Sequence, residues 1–208
     1  MEEKKISEQE SLELITRMIN QTKKDLSVGN GDSFLMWGYL SAAISLAVIV
    51  MLLATKDPRF AWLYMAIPIA GFTASGIKTY KAKRKSHVAS TYASNTINNV
   101  WAIISAVFAV YAISCLLHFG EVRSWKGMFL LGMLFPGIGS YTTGVILKEK
   151  SIQMCGLLGV VIGTGLLRDF VCGEQVISIM QMGQMVLSFV ITLIIPGHIL
   201  NFKAKKQQ

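Results

Sequence analysis

The sequence predicts an all-α, polytopic membrane protein with six transmembrane helices. Of its 208 residues, 52% are hydrophobic and only 15% are charged, and the mean hydropathy is +0.49. The charged residues fall in short clusters that separate six long uncharged runs. A soluble domain of this length carries more charge and shorter apolar runs, so the composition excludes that class of protein.

The N-terminal segment, residues 1–30, is polar and predicts a short cytoplasmic amphipathic helix. Ser7 and Glu10 have the spacing of a capping box at its start. Four apolar residues then recur at helical spacing on one face: Leu12, Ile15, Ile19 and Leu26. This face is a candidate docking surface for a partner, although packing on the protein itself or on the membrane surface would bury the same side chains.

Six apolar runs follow, and each approaches or exceeds the roughly 17–25 residues that a helix needs to cross the hydrocarbon core. They predict spans at 34–55, 60–79, 98–119, 127–147, 151–168 and 176–200, within a membrane domain of residues 33–202. Residues 203–208 form a basic tail. The fifth run is the weakest of the six, because it is the shortest and contains four glycines.

The lysine and arginine residues predict that both termini are cytoplasmic. With the N-terminus inside, 15 of the 20 basic residues lie on the cytoplasmic side and five lie outside, as the positive-inside rule requires. Without the fifth span, the basic tail would move outside and weaken this bias. The expected topology therefore has both termini on the cytoplasmic side.

The even-numbered spans share a pattern that indicates a repeated helical hairpin. Pro68, Gly71 and Gly76 in span two match Pro136, Gly139 and Gly144 in span four at identical offsets, and Pro196 marks span six. This pattern predicts that the six spans form three helical hairpins, repeated in the same orientation. Because proline lacks a backbone N–H and crowds the preceding turn, Pro68, Pro136 and Pro196 are expected to kink their helices, although such kinks can serve packing alone.

Neutral polar residues form the candidate cavity lining. On span six, four of them lie on one helix face at spacings of three and four residues: Gln181, Gln184, Ser188 and Thr192. Span four contributes Ser140, Tyr141 and Thr143 after its proline. Facing each other, these residues would line a path for a neutral or weakly polar solute. The alternative is that they hydrogen-bond neighbouring helices.

No pattern in the sequence points to catalysis, a metal or a cofactor. The span centres lack ionisable residues, and the chain has no nucleophile and base at catalytic spacing, no phosphate-binding loop and no zinc-protease motif. The three cysteines are dispersed, which leaves open only whether Cys115 and Cys172 pair. The chain is therefore not expected to be an enzyme.

Five segments resemble an uncharacterised family of bacterial six-span inner-membrane proteins. They are residues 6–15 (ISEQESLELI), 37–38 (WG), 97–101 (INNVW), 144–148 (GVILK) and 195–200 (IPGHIL). Members of that family have no established activity and tend to be encoded beside small DNA-binding regulators. The resemblance implies a location in the bacterial inner membrane and a membrane partner or sensor role in which the N-terminal helix makes the contact.

Two functional hypotheses remain. The first is a membrane-embedded interaction or sensory protein, and the second is a small transporter or permease for a neutral or weakly polar solute. The expected partners are the lipid bilayer and either a cytoplasmic regulator or another protein. A homo-oligomer is left open, and direct contact with nucleic acid is not expected.

Overall fold

The computed structural model describes residues 8–85, 92–117, 122–172 and 178–206. Within these ranges the chain is helical and has no strand. The seven α-helices are α1 (Glu8–Thr55), α2 (Ala66–Lys85), α3 (Tyr92–Leu117), α4 (Val122–Ile146), α5 (Lys150–Val171), α6 (Ile179–Phe189) and α7 (Ile195–Lys206). A 3-10 helix, Pro58–Met65, leads into α2, and a π-helical segment, Val190–Ile194, joins α6 to α7.

Six helical segments are long and apolar enough to cross a membrane, which confirms the predicted number of spans. They are Gly31–Thr55, Arg59–Lys81, Tyr92–Cys115, Gly127–Ile146, Lys150–Arg168 and Ile179–Lys206. The fifth is a complete helix of 22 residues despite its glycines. The described part of the chain thus has the architecture of a multi-pass membrane protein.

Helix α1 differs from the short N-terminal helix that the sequence predicts. It continues without interruption from Glu8 into the first span and ends at Thr55. No proline lies between these residues, and isolated glycines such as Gly31 and Gly38 weaken a helix by about 1 kcal/mol each without stopping it. Ser7, the predicted cap, lies outside the described residues.

The centre of the bundle is built from α1, α4, α5, α6 and α7. Helix α1 packs along α6, the π-helical segment and α7, while α4 packs along α5. Helices α2 and α3 flank this centre on α1 and α4, respectively. Only 6% of the second span and 11% of the third are buried, compared with 50% of the fourth, so α2 and α3 present most of their apolar surface outward.

Helices α4 and α5 pack closely against each other and join two of the predicted hairpins. Gly137 faces the backbone of Gly156 and Val160, and Gly156 faces the backbone of Tyr141, so the two helices touch main chain to main chain. Small residues allow such an approach in membrane helices. A tight turn supports it, because Lys148 has φ 57° and the Glu149 N–H donates to the Gly144 carbonyl at 2.8 Å.

The three prolines occupy different helical contexts. Pro68 lies in the first turn of α2, directly after the 3-10 helix, where a missing N–H disturbs little. Pro136 lies inside α4, which continues on both sides of it. Pro196 is the second residue of α7 and follows the π-helical segment. Each of these two prolines thus follows a change of helix type, from 3-10 to α before Pro68 and from π to α before Pro196.

Candidate functional site

The polar residues predicted to line a cavity are mostly buried in contacts between helices. Ser140, Thr143, Ser188 and Thr192 are at most 1% exposed, and Gln181 is also buried. Gln184 is half-buried, whereas Tyr141 points outward and is 43% exposed. The structure brings Ser140 of the α4 stripe together with Thr192 of the span-six stripe, whereas Thr143 and Gln181 make other contacts and Tyr141 faces away.

Ser140 and Thr192 join α4 to the π-helical segment through a hydrogen bond. The Ser140 hydroxyl donates to the Thr192 carbonyl. In a regular helix that carbonyl would accept the N–H of the residue four positions on, but this residue is Pro196, which has no N–H. The Thr192 hydroxyl donates in turn to the Ser188 carbonyl at 2.7 Å. Ser140 thus satisfies the acceptor that the proline leaves without its helical donor.

Thr143 belongs to a second contact, between α3 and α4. Its hydroxyl donates to the Gly139 carbonyl at 2.7 Å and accepts the Trp101 indole N–H at 3.2 Å. The Trp101 ring lies against Gly139, where any side chain would collide with it. The ring also meets Phe34 of α1 edge to face at 5.2 Å.

The same arrangement recurs between α1 and α2. The Trp37 ring covers Gly71, and its indole N–H donates to the Ser75 hydroxyl at 3.1 Å. In both contacts the hydroxyl residue follows the glycine by four positions, one helical turn, so it lies directly beside the ring. The predicted repeat included the matching glycines but neither of the tryptophans. Aligning the glycines with the following Ser75 and Thr143 would have revealed the role of the indoles.

Gln181 has a local structural role at the start of α6. Its side chain accepts the Ser178 N–H at 2.8 Å, and its own N–H donates to the Ser178 hydroxyl at 3.2 Å. This reciprocal pair is a capping box, which satisfies two backbone donors at the helix start.

Polar contacts tie the first and last spans together at one end of the bundle. Asn201 of α7 donates to Asp32 of α1 at 2.9 Å, and Lys203 forms a salt bridge with Glu149 at the start of α5. Helix α2 joins the same end, because the Lys78 ammonium donates to the Ser33 hydroxyl at 3.0 Å. The start of the first span is therefore hydrogen-bonded to both α2 and α7.

The predicted docking face on α1 is described only in part. Leu12 is 65% exposed. The side chains of Ile15, Ile19 and Leu26 lie outside the described residues, although their backbone is part of α1. Cys115 is buried and Cys172 is exposed, and no disulfide joins them.

Within the described ranges, no three His, Cys, Asp or Glu side chains come together in a group that could hold a metal ion. Comparison with protein-family models, with curated proteins and with solved structures finds no match for this chain. Its function must therefore be argued from its own geometry.

Proposed function

We propose that this protein is a membrane-embedded interaction protein with a sensory or regulatory role, in which the N-terminal part of α1 recruits a cytoplasmic partner. The observation that carries the proposal is the continuity of α1. This helix has 48 residues, of which 25 form the first candidate span, so 23 precede it. At 1.5 Å per residue these 23 extend about 35 Å from the end of the span.

A continuous helix couples its two ends mechanically, because bending or shifting one end displaces the other. The base of the span is anchored to α7 through Asp32 and Asn201 and to α2 through Ser33 and Lys78. A partner bound near Leu12 would therefore act on the packing of the bundle, and a change within the bundle would reorient the partner. Binding energy can shift such an equilibrium only through a difference in affinity between the two arrangements.

The buried polar contacts favour this role over transport. Ser140, Thr143 and Thr192 are engaged in hydrogen bonds that join or stabilise helices, and a solute path would need these groups to face a solvated space. A transporter or permease for a neutral solute remains the second candidate, and its support is the half-buried Gln184 beside the buried Ser188.

We also propose that both termini are cytoplasmic, that the membrane is the bacterial inner membrane, and that the six spans are built as three repeated hairpins. The 15 to 5 distribution of basic residues supports the orientation. The two tryptophan, glycine and hydroxyl contacts support the repetition. The resemblance to a family encoded beside DNA-binding regulators suggests that the partner is such a regulator.

The test is photocrosslinking of the full-length protein in native membranes. A photoreactive amino acid replaces Leu12 in one variant and Glu10 in a matched control. Two residues correspond to about 200° around a helix, so the control lies on the opposite face. We expect position 12 to capture one soluble protein reproducibly and position 10 to capture little of it.

A second pair of variants tests whether the contact uses the apolar face. Leu12→Glu should abolish the capture from a probe at position 16, which lies one helical turn from Leu12, whereas Glu13→Gln should leave it unchanged. Equal capture from positions 10 and 12, or capture that survives Leu12→Glu, would refute docking on α1.

A further inference from the structure

Three buried hydroxyls in the bundle core have no hydrogen-bond partner among the described residues. They are the Ser45 hydroxyl on α1, the Tyr64 phenol on the 3-10 helix and the Ser188 hydroxyl on α6, here called the hydroxyl cluster. Ser45 and Ser188 are both 0% exposed. Buried polar groups in native proteins are nearly always paired with protein atoms or ordered water, so three such groups in one core require an explanation.

The contacts between α1 and the C-terminal helices indicate where Ser45 and Ser188 lie relative to each other. Helix α1 runs antiparallel to α6 and α7, with Gly38 packed on Leu193 and Gly197 packed on Leu35. Ser45 lies seven residues, two turns, beyond Gly38 and therefore on the same face of α1.

On the other side of this interface, Ser188 precedes Leu193 by five residues. The π-helical segment between them places residues five apart on one face, which turns Ser188 toward α1 at about the depth of Ser45. Tyr64 lies beside Ser45, and neither hydroxyl has a hydrogen bond of ordinary geometry among the described residues.

Helix α4 has an open space beside Gly132. Gly132 is buried, yet a Cβ placed on it would meet only the Met185 sulfur, at 4.0 Å, among the described atoms. The Gly132 carbonyl has no helical N–H to accept, because the residue four positions on is Pro136. Met185 lies one turn before Ser188, and Phe129, one turn before Gly132, meets the Tyr64 ring at 4.8 Å.

We propose that this space is a binding site for a buried water molecule, held by the Gly132 carbonyl and the hydroxyl cluster. These groups offer both acceptors and donors but no formal charge, which suits a small neutral molecule and disfavours an ion. A buried water molecule needs two to four polar partners, and this site supplies them. The water would donate to the Gly132 carbonyl as Ser140 donates to the Thr192 carbonyl.

The first experiment is X-ray radiolytic labelling of the intact protein in detergent, with oxidation read by mass spectrometry. A bound water molecule produces hydroxyl radicals in place, so buried Met185 should be oxidised despite its 3% exposure. Gly132→Ala places a methyl group in the space and should reduce Met185 oxidation several-fold. Exposed Met154 serves as the dose reference and should be oxidised equally in both proteins.

The second experiment uses the sign of the change in thermal stability. Gly132→Ala should lower the melting temperature, because it displaces the water and leaves the hydroxyl cluster without partners. The matched control is Gly183→Ala, on the exposed side of α6, where a Cβ meets no described atom within 4 Å. It should raise the melting temperature slightly, since alanine favours the helix more than glycine does.

Three results would overturn the proposal: no oxidation of Met185 in the wild-type protein, equal oxidation in Gly132→Ala, or a melting temperature that rises in Gly132→Ala as in Gly183→Ala. The last would mean that the methyl group fills a dry gap. If Gly132→Ala does not fold, the Ser45→Ala, Ser188→Ala double variant provides the same test. It removes two partners of the water without filling the space, and unchanged Met185 oxidation would refute the site.

Discussion

The contact between α4 and α5 allows one prediction to be worked out quantitatively. Gly156→Ala would place a Cβ 2.3 Å from the Tyr141 nitrogen and 2.6 Å from its Cα. These are backbone atoms and cannot rotate away, so the two helices must separate by about 1 Å to restore ordinary contact. Gly165→Ala, on the same helix, places a Cβ where no described atom lies within 4 Å, and it is the matched control.

The expected cost follows from the loss of dispersion contacts along the interface. A gap of about 0.5–1 Å forfeits a quarter to a half of the roughly 0.1–0.2 kcal/mol that each atom pair contributes. For about 40 pairs this amounts to about 1–4 kcal/mol. Both substitutions gain up to about 1 kcal/mol of helix propensity, so the difference between the two variants isolates the cost of separating the helices.

The assay is reversible unfolding in mixed micelles, followed by circular dichroism while the fraction of SDS is raised. We expect the free energy of unfolding of Gly156→Ala to be lower than that of Gly165→Ala by about 1–4 kcal/mol. If the two free energies of unfolding agree to within about 0.5 kcal/mol, α4 and α5 can separate without loss of stability. The close backbone contact would then not stabilise the fold.

Three further predictions concern other contacts and the topology. Ser140→Ala should lower the free energy of unfolding by about 1–2 kcal/mol, because the Thr192 carbonyl loses its donor. In a Pro196→Ala background, which restores a helical N–H, the loss should shrink by about 1 kcal/mol, and purely additive effects in this double-mutant cycle would contradict the assignment. Trp37→Phe and Trp101→Phe should each lower the free energy of unfolding by about 1 kcal/mol by removing the indole donors to Ser75 and Thr143. Thermal unfolding checks this, and two variants as stable as the wild type would contradict a role for these bonds. Alkaline phosphatase and green fluorescent protein fused at the C-terminus should give low phosphatase activity and bright fluorescence, and the reverse result would place that end outside.

The N-terminal segment shows where local sequence information is insufficient. The capping box and the apolar face predict a helix, and residues from Glu8 onward are helical. The pattern gives no signal that the helix merges with the first span, because a change from polar to apolar composition looks like a boundary. Backbone hydrogen bonding continues through such a change unless a proline interrupts it.

The sequence alone predicts part of the contact between Ser140 and Thr192. Pro196 has no N–H to donate to the Thr192 carbonyl four residues before it, and the sequence shows this directly. Ser140, which supplies a donor instead, was among the candidate polar residues. Their meeting depends on the relative rotation of α4 and α6, which the π-helical segment changes and which no local pattern reveals. Tyr141 points outward because its neighbour Ser140 faces inward, and consecutive residues of a helix point about 100° apart.

The sequence by itself determined that the protein is a membrane protein and how many spans it has, because crossing the lipid bilayer requires long apolar runs. It also determined the expected orientation, because basic residues mark the cytoplasmic side. Only the tertiary structure decided which helices form the centre and which flank it. It also paired Trp37 and Trp101 with glycines on neighbouring helices and buried the hydroxyls of Ser45, Tyr64 and Ser188. Hydropathy is a property of each segment alone, whereas packing depends on the shapes of two surfaces that are distant in sequence.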